Sequence, residues 1–142
     1  MHPAKNLPIT LISQIREKAN RLLIGELKRH NMAGVAPSHG DILWALFKQG
    51  TLPMKVLAEL IDRDKSTVTA LVNKLISLGY VRKQPDITDS RVTLISLTDQ
   101  GRALKDDLIE ISQKLIAKVY KTLSEDERGL LIELLTKIND NW

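Results

Sequence analysis

The sequence predicts a mainly α-helical chain carrying one small β-hairpin, and three observations predict it. Apolar residues recur at helical spacing up to residue 79 and again beyond residue 98. Between them, two runs rich in β-branched residues, Tyr80–Lys83 and Arg91–Leu97, flank the turn-like stretch Pro85–Ser90. Composition agrees: 142 residues, 43% hydrophobic and 27% charged, describe a globular chain of one domain, and the scarcity of aromatic residues (4%) leaves its core to Leu, Ile and Val.

Each element follows in order. Leu11, Ile12, Ile15, Ala19, Leu22, Leu23 and Leu27 place a helix from about Ile9 to about His30, which Gly34 and Pro37 break. Ser38 is the expected cap of the next helix, with Asp41 three residues on and Ile42, Leu43, Leu46 and Phe47 on its apolar side; Gly50 ends it. A short helix follows with Pro53 in its first turn and Val56, Leu57, Leu60 and Ile61 buried, stopping at Asp62-Arg63-Asp64. Another runs from about Lys65 to Leu78 and closes at Gly79, a position suited to left-handed backbone. The hairpin comes next, with the faces of its second strand left open because Leu94 and Ile95 are adjacent. Thr98 then caps a long helix carrying Leu104, Leu108, Ile111, Leu115 and Val119. Ser124-Glu125-Asp126-Glu127 is a capping box that opens the last helix, whose stripe is Leu130, Leu131, Leu134, Leu135 and Ile138.

Composition also excludes function classes. The chain has no cysteine, which removes disulfide scaffolds, zinc ribbons, iron–sulfur clusters and thiol chemistry. His2, His30 and His39 form no metal-spaced pair, and Asp106, Asp107 and Glu110 read as a solvated acidic face, so no metal is expected. There is no Gly-rich phosphate loop, no Ser/His/Asp set and no pair of catalytic carboxylates, so neither an enzyme nor a cofactor is expected. Apolar runs are far too short to span a bilayer, and the opening MHPAKNLP is no secretory signal, so a cytoplasmic protein is expected.

The net charge of +4 is unevenly spread. Between residues 65 and 91, Lys65, Lys74, Arg82, Lys83 and Arg91 face only Asp86 and Asp89. The helix from Lys65 is two-sided: Val68, Leu71, Val72, Leu75 and Ile76 share one face, while Lys65, Ser66, Thr67, Thr69, Asn73 and Lys74 form a surface without an acid. Duplex DNA asks for such a surface, with cations for phosphates and small hydroxyl or amide groups for base edges. Its N-terminal amides would add partial positive charge there. Arg91, just beyond a helix–turn–helix, is placed to enter the adjacent minor groove with Asp89 holding it extended. Lys83 and Arg82 are candidate phosphate contacts, their side of the hairpin left open.

Asp89-Ser90-Arg91, five residues, Leu97-Thr98, two residues and Gly101 resemble the wing signature of the MarR family of winged helix–turn–helix regulators. Asp64–Thr69 and Leu75–Val81 resemble the same family's recognition helix and its exit into the wing. The resemblance covers essentially the whole chain. It implies a homodimer formed by helices in 1–36 and 100–142, with a DNA-binding lobe at 38–98 that reads an inverted-repeat operator. It further implies that Lys65, Ser66, Thr67, Thr69, Asn73 and Lys74 lie in the major groove, with Arg91 and Asp89 as the wing pair. A small aromatic or anionic effector is common in the family, and Trp44 is its candidate contact here, although Trp44 and Phe47 read from spacing alone as core. The alternative, a winged-helix module for protein contacts, leaves the acid-free helix face unexplained.

Overall fold

The computed structural model describes residues 7–142, so His2 lies outside the described residues. The chain divides into two compact units, one ending at Ile111 and one beginning at Ser112. In the first unit, α1 (Leu7–Arg29) leads to α2 (Pro37–Gln49), a short strand β1 (Leu52–Pro53), α3 (Met54–Ile61) and α4 (Lys65–Ser77). Strands β2 (Val81–Pro85) and β3 (Thr93–Leu97) then precede a one-turn helix α5 (Asp99–Arg102) and the start of α6 (Lys105–Tyr120). The second unit holds the remainder of α6 and α7 (Glu125–Asn139).

The core of the first unit is aliphatic, as the scarcity of aromatics requires. Ile42 and Leu43 of α2, Leu57 of α3, and Val68, Val72 and Leu75 of α4 are fully buried, as is Ile95 of β3. Each such side chain contributes about 1.5–3 kcal/mol when removed from water. This shared burial fixes α3 against α4, with Asp62 in the left-handed conformation (φ 54°) turning the chain between them.

Several expectations are corrected. The hairpin is part of a three-stranded antiparallel sheet in the order β1-β3-β2, because Leu52 and Pro53 pair with Ile95 and Leu94. Pro53 therefore precedes α3 as its N-cap instead of lying in its first turn. Ser38 is not a cap: α2 begins at Pro37 behind Ala36, whose amide donates to His39 Nδ1 at 2.8 Å. Thr98 caps only α5, and a turn at Ala103–Leu104 separates it from α6. The adjacent apolar residues of β3 are explained by its central place, since Ile95, Ser96 and Leu97 are all buried.

The helices at either end of the chain bury little within their own units. Among α1 residues only Glu26 and Leu27 are buried, and Leu11, Ile12 and Ile15 are exposed. In α7 none is buried, and Leu130, Leu134, Leu135 and Ile138 are exposed. The expected capping box is present there: Ser124 Oγ accepts from the Glu127 amide (3.2 Å) and Glu127 Oε1 from the Ser124 amide (2.9 Å). Arg128 lies over the Tyr120 ring at 5.2 Å in the same unit. No helix among the described residues is long and apolar enough to cross a membrane.

Candidate nucleic-acid interface

The N-terminus of α4 is organised by Asp64. Its carboxylate accepts from the Thr67 amide at 2.7 Å and from the Ser66 hydroxyl at 2.8 Å. These contacts, the Thr67 amide foremost, hold the Asp64 carboxyl below the usual carboxylate range. An anion thus already occupies the helix N-terminus, which corrects the expectation of partial positive charge at that point. Ser66 is oriented by the cap, and the Thr69 hydroxyl donates to the Lys65 carbonyl at 2.8 Å, so both hydroxyls offer their remaining acceptor positions outward.

With Val68, Val72 and Leu75 facing the core, helical geometry separates the polar residues of α4 into three rows. Ser66, Ala70, Asn73 and Ser77 form the central exposed ridge. Lys65 and Thr69 lie on the flank beside the wing, lining a cleft of about 380 Å³ together with Pro53, Met54, Lys55, Lys83, Arg91, Val92 and Thr93. Thr67 and Lys74 fall on the opposite flank, where the Lys74 ammonium reaches the turn at Gly34 and helps lower the His39 pKa, burial being the larger cause. The six polar residues therefore do not act as one surface. Every charged residue lining the cleft is a cation.

The sheet register resolves the sides of the hairpin. Lys83 faces the cleft, while Arg82, one residue away and on the other face, donates from Nε to the hydroxyl of Ser96, its cross-strand partner (3.3 Å). In the wing loop, the Asp89 carboxylate accepts from Arg91 Nε (3.1 Å), Nη2 (3.3 Å) and the Arg91 amide (3.1 Å). The side-chain contact, then the amide, holds the Asp89 carboxyl below its ordinary range. The Arg91 side chain is 90% exposed, so this pair contributes little to stability. What it does is fix the guanidinium, whose remaining donors stay available to a ligand.

The rest of the signature anchors the wing. Leu97 is buried opposite Val81. The Thr98 hydroxyl donates to the Gly79 carbonyl at 2.5 Å and accepts from the Gly101 amide at 3.1 Å, joining the exit of α4 to α5. At Gly101 a Cβ would stand 2.0 Å from the Tyr80 carbonyl oxygen, so only glycine lets the two segments approach. Each signature residue thus has a physical role in aiming the wing.

Sequence reasoning missed Lys55, Ala70 and Ser77. The spacing of Ser66, Ala70, Asn73 and Ser77 could have revealed the ridge, but Lys55 reaches the cleft only through the long-range pairing of β1 with β3. Elsewhere, Trp44 packs edge-on against Phe47, centroids 5.8 Å apart, and both rings are half-buried against the core. His30 is not isolated from the acids: its Nδ1 lies 3.0 Å from Asp107 Oδ1, and Glu110 completes a cluster whose ligand-type atoms are within 4.8 Å of one another. That contact ties the end of α1 to the first turn of α6.

Residues 33–92 match the MarR family. The regulator SarZ of Staphylococcus aureus is 36% identical over 94 residues, which cover 66% of this chain and 62% of SarZ; the chain thus spans less than two thirds of that relative. The fold is that of a mutant MarR from E. coli complexed with operator DNA, at TM-score 0.86 and 24% identity, covering 97% of this chain and 98% of that one. It is equally that of the PcaV transcriptional regulator of Streptomyces coelicolor in complex with its natural ligand, at TM-score 0.86 and 21% identity, covering 99% and 96%.

Proposed function

We propose that this chain is a DNA-binding transcriptional regulator of the MarR family, acting as a homodimeric, ligand-responsive repressor that reads an inverted-repeat operator. The cationic cleft between α4 and the wing carries this reading, because Lys55, Lys65, Lys83 and Arg91 line it and no acid is among its lining residues. In the proposed complex α4 lies in the major groove, where Ser66, Thr69, Ala70 and Asn73 meet base edges. An exposed asparagine amide suits adenine, and an exposed alanine suits the thymine methyl. Lys65 and Lys83 meet the phosphates bordering the cleft, and Arg82 reaches the backbone from the other face of the hairpin. Arg91, held by Asp89, enters the adjacent minor groove, whose negative potential favours a guanidinium. Thr67 and Lys74, on the far flank, contact the opposite phosphate wall.

Dimerisation is assigned to the segments 1–36 and 100–142, and DNA binding to 38–98. The exposed stripes of α1 and α7 support this, since apolar area of that extent left outside both units is characteristic of a stable interface. Two lobes related by a two-fold axis would read half-sites roughly 34–36 Å apart. Trp44 is assigned to a small aromatic or anionic effector, and a cytoplasmic location follows from the function; the PcaV complex with its natural ligand supports effector control. A purely protein-binding module is disfavoured by the same cleft and by the regulators among the relatives.

The test is selection of bound genomic fragments with purified protein, followed by affinity measurements across a salt series. An inverted repeat and a steep loss of affinity with salt are expected. Enrichment of no duplex, with salt-insensitive binding to another protein, would overturn the reading.

A further inference from the structure

The tip of the wing holds one apolar side chain in water. Ile87 is fully exposed, at 102% of its reference area, yet the backbone around it is tied down. The Asp86 carboxylate accepts from the Thr88 amide and hydroxyl, both at 3.0 Å. The Asp86 amide donates to the Val92 carbonyl at 2.9 Å, and the Val92 amide to the Asp89 carbonyl at 3.0 Å. Both acids of the turn are thus engaged by the loop's own donors. The Ile87 side chain and the Arg91 side chain of the same loop both stand in solvent.

Single exposed apolar residues are common on protein surfaces. This one stands on a cross-braced turn in the same loop as a fixed cation, Arg91, which itself lines the cationic cleft. A protein partner would call for a contiguous apolar patch of several hundred Å², whereas the neighbours of Ile87 in the loop are Asp86, Thr88, Asp89 and Ser90. A narrow slot with apolar walls fits it better. The deoxyribose edges of a minor groove form such a slot, and apolar side chains are inserted there by other DNA-binding proteins.

We propose that Ile87 is a DNA contact of this regulator, seated against the sugar walls of the minor groove beside Arg91, where it favours A·T pairs. The inference rests on the reading of the wing as the minor-groove element. The preference follows from base chemistry: guanine projects its N2 amino group into that groove, and an apolar side chain against it leaves the donor without a partner.

The chain has no cysteine, so Ile87→Cys gives a unique attachment point for an iron–EDTA cleavage reagent, used with the duplex most enriched by the wild-type protein. Cuts on the two strands staggered towards their 3′ sides are expected, the signature of a source in the minor groove. In anisotropy titrations of the same duplex, Ile87→Ser should bind about fivefold to tenfold more weakly per wing, and Ile87→Val within about twofold of wild type. Melting temperatures should not move, because the side chain is wholly solvated. Duplexes carrying A·T, inosine·C or G·C pairs at the cleavage centre should rank the first two together above the third, and Ile87→Ser should lose that ranking. Minor-groove cleavage with Ile87→Ser binding as tightly as wild type overturns the role of Ile87 and leaves the wing assignment intact. Cleavage centred on the major groove, or absent from a bound duplex, overturns both.

Discussion

Replacing Gly101 with alanine isolates the junction that aims the wing. An ideal Cβ there would stand 2.0 Å from the Tyr80 carbonyl oxygen, 3.0 Å from its carbon and 3.2 Å from Leu97 Cδ2. Non-bonded heavy atoms rest about 3.5–4.0 Å apart, so the start of α5 and the strand entrance must separate by about 1 Å or more. That separation strains the Thr98 amide bond to the Tyr80 carbonyl (3.0 Å) and the Thr98 hydroxyl bond to the Gly79 carbonyl (2.5 Å). Overpacking of this kind costs about 1–3 kcal/mol and a lost hydrogen bond about 1 kcal/mol. Against them stands a gain of about 1 kcal/mol from alanine's helix preference. A net loss of about 1–3 kcal/mol is expected in equilibrium urea denaturation at fixed protein concentration, with an unchanged m-value. Gly129→Ala is the matched control: it lies within α7, on the side away from the Leu130–Ile138 stripe, with nothing within 4 Å of its Cβ. It should stabilise by up to about 1 kcal/mol. Gly101→Ala proving as stable as wild type would refute the close-approach argument.

Three further outcomes follow from the same geometry. Lys65→Ala and Lys83→Ala should each weaken binding across all duplex sequences and reduce the slope of log affinity against log salt by about 1, read by anisotropy. Asp64→Asn keeps an acceptor for the Thr67 amide but removes a negative charge beside the interface, so DNA affinity at low salt should rise while helix content by circular dichroism stays unchanged. Burial foremost, and the Lys74 charge second, lower the His39 pKa from the ordinary 6.5. Unfolding therefore takes up a proton: stability is full above pH 6.5 and declines as pH falls from there towards the folded pKa. His39→Gln keeps an acceptor for the Ala36 amide and should flatten that decline in thermal melts taken across the window.

What could be read in the sequence was what is decided locally. The Asp89–Arg91 pair, the Thr98 cap, the Gly79 turn and the Ser124–Glu127 box each depend on residues a few positions apart, and all are present. What could not be read was decided at a distance. A two-residue strand carries no periodicity of its own, so β1 exists only through its pairing with β3, and Lys55 reaches the cleft by the same route. The start of α2 departs from the expected serine cap because the Ala36 amide is satisfied by the His39 imidazole. The break at Ala103–Leu104 was hidden because Leu104, Leu108 and Ile111 continue the helical spacing across it. The polar face of α4 looked uniform, but the cleft on one side and Gly34 on the other divide its two lysines between separate flanks.

In the proposed complex, an arginine fixed by Asp89 gives the cationic cleft its hold on a specific operator. The affinity of Arg91→Ala for the selected operator, measured beside that for a scrambled duplex at the same salt, tests it most directly. A loss of about 1–3 kcal/mol on the operator and a smaller loss on the scrambled duplex are expected, with unchanged thermal stability because the side chain is 90% exposed. Operator affinity equal to wild type would contradict it.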